Sequence, residues 1–491
     1  MALLTPMLRN LLTPPWRCVV VDDQRRWRGI ELYIGALHLA RQIERVTSRP
    51  HIGFMLPTSG LTSMAIIATW MLGRTIVPIN YLLSRKDRDY VIDNAELDAV
   101  ITVKPMIDRF GAPPDNVKLI ELDQMSWRGF PPLRRPAKET EGALAALLYT
   151  SGTSGRPKGV MLTVGNLLAN VRQCAEWGDF SRNDIFLGVL PQFHCFGITV
   201  LTLLPLWRGC RAVYTARFEP RKILALLTHH RPNILLAIPS MLNGLLNAKS
   251  ASPDSFRSIT YLVSGGEPLP QALFDGYRER LGATINEGYG LTETSPVVNW
   301  CRPQDHKRFS VGQSLPQVEE KIVSSSGQRL DKNQEGEICI KGPNVMKGYY
   351  KLPEETRAVF DSEGFFKTGD IGRIDDDGHL FITGRIKEMM VVGGENVFPR
   401  SIEEILDGHP EVVCSAVTGM SDPTRGEVPI AFIETSPGAE VSDQILRAYC
   451  RDHLPAYMIP REIHRVAEIP RSATGKILRR DLRDHLGKMR S

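Results

Sequence analysis

Apolar and polar positions along this chain follow two alternating rhythms. Short, dense apolar runs at 18–22, 51–56, 75–79, 99–103, 211–214, 234–238 and 261–263 predict strands. Between them, stretches such as 30–44 and 220–229 carry apolar residues at helical spacing and predict amphipathic helices. Strand and helix taking turns in this way predict α/β layers built on largely parallel sheets. The run 61–73 is apolar almost throughout, but Arg74 ends it. It is too short for the ~20 residues a bilayer span needs, so it predicts a buried helix.

Near Ser310 the texture changes. Runs at 320–322, 336–340, 373–374 and 380–382 are short and separated by turn residues, among them the hairpin signal Asp375, Asp376, Asp377, Gly378. They predict a small β-barrel-like lobe over about 310–386. Beyond Gly384 come a strand near 388–392, a helix over 401–407, strands near 412–418 and 430–435, and a helix over 443–453. The expected fold is therefore α/β. A large N-terminal domain of layered α/β subdomains (1–387) carries the lobe, and a small mobile α+β C-terminal domain occupies 388–491. No Ser/Gly-rich linker separates the two, so motion between them requires a hinge of a few residues.

Composition narrows the classes. A chain of 491 residues with 42% hydrophobic positions can bury more than one core. A net charge of +5 over that length is too small to argue for nucleic acid. Residues 388–491 hold 13 Lys/Arg against 16 Asp/Glu, so the positive excess falls on the larger part. The eight cysteines show neither zinc-ligand spacing nor a dense disulfide framework, which predicts reduced thiols and a cytoplasmic setting. The N-terminus lacks a basic lead and is interrupted by Pro6, Pro14 and Pro15, so no signal peptide is expected. Residues 1–12 are apolar enough for weak peripheral membrane contact at most.

The chemistry concentrates in a few segments. An apolar run ends in Thr150, Ser151, Gly152, Thr153, Ser154 and Gly155, followed closely by Lys158. Small residues let backbone approach a phosphate, hydroxyls and N–H groups donate to its oxygens, and the lysine supplies a charge. The spacing is not that of a Walker A loop. Further on stand Pro191-Gln192-Phe193-His194-Cys195-Phe196-Gly197, Gly265-Gly266-Glu267-Pro268 and Asn286-Glu287-Gly288-Tyr289-Gly290-Leu291-Thr292-Glu293. Thr368-Gly369-Asp370, Gly384-Arg385, Gly393-Gly394 and Pro470-Arg471-Ser472-Ala473-Thr474-Gly475-Lys476 complete the series.

In this order these motifs resemble the adenylate-forming (AMP-binding, ANL) superfamily, in its acyl-CoA synthetase or fatty-acid–CoA ligase branch. The resemblance implies an ATP phosphate loop at 150–158 and an adenine pocket from Gly266, Glu267, Pro268, Glu287, Gly288 and Tyr289, with Tyr289 stacking on the purine. It implies that Thr292 bonds the α-phosphate, Glu293 helps hold Mg2+, Asp370 accepts from the ribose hydroxyls, and Arg385 reaches ribose or phosphate. His194 would lie beside the substrate carboxylate and gate the thiol tunnel, and Gly290 would leave the acyl pocket open to acids longer than acetate. Lys387 matches the hinge, Gly393 and Gly394 the pantetheine tunnel, and Lys476 the lysine that bridges carboxylate and α-phosphate. The implied reaction is ATP-dependent activation of a carboxylic acid through acyl-AMP, followed by transfer to coenzyme A. A medium- or long-chain fatty acid is the expected substrate. An aromatic acid, an acyl carrier protein acceptor, a fatty acyl-AMP ligase and a non-catalytic nucleotide- or acyl-binding protein stay open as alternatives. The stretch 193–197 lacks the aspartate that amino-acid-activating relatives use there, which lowers amino acids as substrates.

Overall fold

The computed structural model describes residues 3–150, 156–435, 438, 441–471, 477–479, 481 and 482, and the counts below refer to these. They form a mixed α/β fold on four sheets. In a seven-stranded sheet, His51–Met55 lies centrally between parallel Thr75–Pro78 and Ala99–Thr102, and Lys118–Glu121 forms one edge. At its other side Leu144–Thr150 and Lys158–Thr163 run antiparallel as a hairpin, and Gly348–Tyr349 adds the outer edge. A nine-stranded sheet orders Asn286–Gly290, Tyr261–Gly265, Ile234–Ala237, Ile185–Gly188, Arg211–Tyr214 and Cys18–Val21 in parallel, with short antiparallel strands at both margins. The central strands are buried on both faces, which is why they read as unbroken Ile/Val/Leu runs rather than as alternating ones.

Helix Gly60–Met71 is buried on every side against helix Gly29–Val46, as its uninterrupted apolar sequence requires. No helix among the described residues is long and apolar enough to cross a membrane. Helix Leu4–Leu12 buries Leu4, Met7, Leu8 and Leu11, the i, i+3, i+4, i+7 stripe, against Gly29–Val46 and Leu204–Arg208. That packing places the apolar face of this helix in the core.

The lobe is corrected. Its strands Glu319–Val323, Gly336–Lys341, Phe366–Ile374 and Leu380–Arg385 form an open antiparallel sheet, with no closed barrel among the described residues. Four strands are too few to close, and the sheet instead lays one face on the body. Ile322, Ile338, Ile340, Phe366 and Leu380 join the main core, while Val323, Cys339 and Phe365 form a small cluster of their own.

After the short turn Ile386–Glu388 a five-stranded sheet follows, centred on Gly426–Thr435 and Val412–Asp422. Its two faces feed two cores in strict alternation. Ala431 and Ile433 pack with helices Pro399–Asp407 and Asp443–His453, whereas Ile430 and Phe432 pack with Ile469 and Leu482.

Candidate active site

The expected site residues lie mainly where parallel strands end. Asn286–Gly290 is a strand, so Glu287 and Tyr289 share one face. The Tyr289 hydroxyl donates to Asp370 Oδ2 at 2.6 Å, and Arg385 Nε meets Asp370 Oδ1 at 2.7 Å. Asp370 and Arg385 stand directly opposite each other on the lobe strands Phe366–Ile374 and Leu380–Arg385. The Asp370 side chain is 2% exposed. Burial, helped by the Asp370 charge, pushes the Tyr289 hydroxyl well above the phenol range, so it stays a donor. Burial alone would lower the Arg385 guanidinium, but Asp370 first, then Tyr289, Glu388 and Glu293, together outweigh it and raise it. The carboxylate has about four lone-pair positions and uses two here, which leaves acceptor capacity for hydroxyl groups.

A second cluster surrounds Glu293. The sequence turns through the short 3-10 segment Thr292–Thr294 and presents the Glu293 carboxylate to Tyr349, whose hydroxyl donates at 2.9 Å. Lys158 Nζ lies 5.2 Å from the centre of the Tyr349 ring. Thr150 and Lys158 pair across the hairpin. The loop residues between them named above, Ser151, Gly152, Thr153, Ser154 and Gly155, lie outside the described residues, as does Lys476. Tyr349 was not legible as a site residue. Its placement depends on the strand pairing Tyr349↔Val160, a contact between distant parts of the chain with no local signal.

His194 caps the short helix Cys195–Ile198, with its ring 4.5 Å from that of Phe193. The segment is anchored by Gln192, whose side chain accepts from Ser59 N at 2.7 Å and donates to Thr202 Oγ1 at 2.8 Å. Burial, joined by the nearby Glu293 charge, raises the Cys195 thiol, so this segment and Glu293 share one electrostatic neighbourhood.

The remaining residues divide. Glu287 is held by Arg308 at 2.7 Å, and burial raises its carboxyl while Arg308 opposes the shift. Glu267 meets Arg471 at 3.3 Å, an ion pair between the body and the C-terminal domain. Arg471 also pairs with Ile477 in an isolated bridge. Gly266, Pro268 and Gly288 lie at the same strand ends as these carboxylates. Lys387 sits in the turn Ile386–Glu388, and burial, then the Arg385 charge, lowers its ammonium. Gly393 and Gly394 make the turn between Met390–Val392 and Glu395–Val397, where a side chain would meet open space.

Gly290 has a reason the sequence did not reveal. A Cβ there would lie 1.9 Å from the Pro296 carbonyl oxygen. Glycine is required by that close approach, so an open acyl pocket does not follow from it.

The donors present suit a hard cation. Glu293 has an oxygen beyond the one bonded to Tyr349, and the described residues hold no cluster of three or more metal-ligating side chains. One carboxylate, with waters and substrate phosphates completing the shell, is the way Mg2+ is commonly held.

Residues 9–350 match the family described as AMP-binding enzyme, and 401–476 match the AMP-binding enzyme C-terminal domain. A long-chain-fatty-acid–CoA ligase of Bacillus subtilis is 36% identical over 354 residues, 71% of this chain. The match spans 62% of that relative's length, less than two thirds of it. ATP-bound MatB from Rhodopseudomonas palustris superposes with a TM-score of 0.91 at 27% identity, covering 100% of both chains. The o-succinylbenzoate CoA synthetase MenE of Bacillus subtilis, in complex with its acyl-adenylate OSB-AMP, gives 0.87 at 29% identity over 98% of each chain.

Proposed function

The chain belongs to the AMP-binding enzyme family, within the adenylate-forming superfamily, and from that premise we propose that it is an ATP-dependent acid–CoA ligase. The observation that carries the reading is the buried Tyr289–Asp370 pair with Arg385 on its carboxylate, linked through the Glu293 charge that acts on Arg385 to the cluster of Glu293, Tyr349 and Lys158. Asp370 accepts from the ribose hydroxyls, and Tyr289 and Arg385 fix the carboxylate for that task. Lys158 and the hydroxyl-rich loop before it bind the triphosphate. Glu293 holds Mg2+, which when bound supplies neutralising charge at the phosphates.

The first step joins a carboxylate oxygen to the α-phosphorus and releases pyrophosphate, giving acyl-AMP. The obstacle is an anion approaching a polyanion, and Lys476 and Lys158 place positive charge where the negative charge meets. The Glu267–Arg471 ion pair holds the C-terminal domain against the nucleotide segment for this step. The second step needs other groups at the same acyl carbon. The C-terminal domain turns at Lys387, Lys476 departs, and the turn at Gly393 and Gly394 lets a thiol approach. Sulfur bonds to the acyl carbon, the carbon's bond to the phosphate oxygen breaks, AMP leaves, and the thiol proton passes to solvent.

Coenzyme A is the proposed thiol and a medium- or long-chain fatty acid the proposed substrate, supported by the fatty-acid ligase relative. An aryl acid is the second reading, favoured by the match to the o-succinylbenzoate enzyme over nearly the whole chain. The segments flanking His194 do not decide between them, since Ile198, Leu201, Leu203 and Leu204 are ordinary buried core. Pyrophosphate release measured across alkyl, aryl and amino acids, with coenzyme A and then acyl carrier protein as acceptor, tests the reading. Turnover is expected with alkyl or aryl acids and coenzyme A. Release that ignores every added acid would overturn it.

A further inference from the structure

The opposite end of the nine-stranded sheet gathers arginines. Ile185–Gly188, Arg211–Tyr214 and Cys18–Val21 are parallel neighbours, so their starts lie side by side. Arg182, Arg211 and Arg17 stand at or just before those three starts. Arg208 ends helix Leu204–Arg208, and Arg9 lies in the last turn of Leu4–Leu12. The segments 191–197 and 265–268 leave the other ends of the same sheet's strands. A four-residue strand separates the two ends by about 13 Å.

Two hollows meet at Arg182. One, of about 320 Å³, is bounded by Arg9, Trp207 and Arg208, and the other, of about 150 Å³, by Arg17, Asn183 and Arg211. Some of this charge has a structural use. Arg17 donates to the Arg182 carbonyl, Arg182 to that of Thr13, and Arg208 to that of Phe180. Each guanidinium carries five N–H donors, so most remain. Arg211 Nε and Trp207 Nε1 are closed off from solvent and donate to no acceptor among the described residues. Asp184 lies on the same stretch but accepts from Ser181 N and Asn233 Nδ2, both at 2.5 Å. Burial, then repulsion from Arg182 and Arg211, lowers the Arg17 guanidinium, as expected for clustered like charges. The chain also makes room for this arrangement. Gly209, at φ 83°, lies where a Cβ would stand 3.1 Å from both Arg182 Nε and Asn10 Cγ.

We propose that this arginine-lined cleft binds a phosphate group, a phosphomonoester or diphosphate, at a site separate from the adenylate centre. Three arginines line each hollow, Arg182 belonging to both, and such a set of guanidinium forks suits a multiply charged tetrahedral anion better than a single carboxylate. Trp16, 69% exposed beside Arg17, lets the same chemistry come from a lipid headgroup as well as from a soluble phosphate.

Two probes separate the sources: inorganic pyrophosphate by calorimetry, and flotation with phosphatidic acid vesicles against phosphatidylcholine vesicles. Both use the full chain, its Arg182→Gln/Arg211→Gln and Arg9→Gln variants, and Lys158→Ala as the variant of the adenylate site. Arg9 is exposed and its side chain bonds to nothing among the described residues, so Arg9→Gln keeps the fold and decides the matter if the double variant does not fold. For at least one probe, affinity is expected to fall tenfold or more in the double variant and about threefold in Arg9→Gln, with Lys158→Ala keeping that binding. Equal binding of both probes by wild type and the arginine variants, or loss in Lys158→Ala alone, would overturn the proposal.

Discussion

In the proposed reading, Asp370 is the residue on which the nucleotide half of the site turns. It is almost fully buried and is approached by one neutral and one charged donor. Hydrogen bonds to a charged group contribute about 1.5–3 kcal/mol each. Asp370→Asn keeps the shape but removes the charge, so acid-dependent adenylation is expected to fall about 10- to 100-fold. Adenylation within twofold of wild type would remove Asp370 from the site. Glu320 gives a test of a different kind. It lies on lobe strand Glu319–Val323, accepts from Asn299 of the nine-stranded sheet at 3.3 Å, and burial pushes its carboxyl up to about 7. A carboxyl raised on folding contributes stability below its unfolded pKa and loses it as pH rises through the folded value. Wild type is therefore expected to lose roughly 1–3 kcal/mol relative to Glu320→Gln between pH 5 and pH 8, read from melting curves of both proteins. A constant difference across that range would contradict the burial argument.

At the scale of elements, periodicity was informative wherever a strand or helix is set by its own local pattern. Arg211–Tyr214 and Asp443–His453 have the bounds their patterns predict, and Cys18–Val21 falls one residue short. Legibility failed where the outcome depends on a distant partner. The lobe's short strands read as barrel-like because sequence does not reveal that one face lies on the body. The burial of the N-terminal apolar stretch was not legible, because its partners, Gly29–Val46 and Leu204–Arg208, carry no local signal for it. Tyr349 and Arg308 reach their carboxylates in the same non-local way. Gly290 is the sharpest case, since a glycine beside a presumed acyl pocket and a glycine under a carbonyl look alike in sequence. Gly290→Ala is expected to destabilise the protein by about 1–3 kcal/mol and to lower activity on short and long acids alike, because the Pro296 carbonyl must move. A selective gain on short acids with unchanged melting would restore the pocket reading.

For the whole molecule, the main core runs from Leu3 to Leu380, and separate cores begin at Met390 and Ala416. Only the turn Ile386–Glu388 joins the two regions covalently, while the Glu267–Arg471 ion pair joins them in space. In the proposed two-step reaction the cap is held for one step and turns for the next. Lys387→Pro stiffens the turn. It is expected to leave pyrophosphate release within about threefold and to slow thioester formation at least tenfold, measured separately by stopped assays. Equal slowing of both steps would count against rotation at this point.

The central claim is that one carboxylic acid is activated as acyl-AMP before any thiol acts. It is tested most directly by mass spectrometry of wild type and Lys476→Ala given ATP, Mg2+ and the best acid without coenzyme A, then given synthetic acyl-AMP and coenzyme A. Wild type is expected to accumulate acyl-AMP, and Lys476→Ala to lose that step by at least 100-fold while still forming the thioester from supplied acyl-AMP. Acyl-AMP never detected with wild type, or both steps lost together in the variant, would contradict the account.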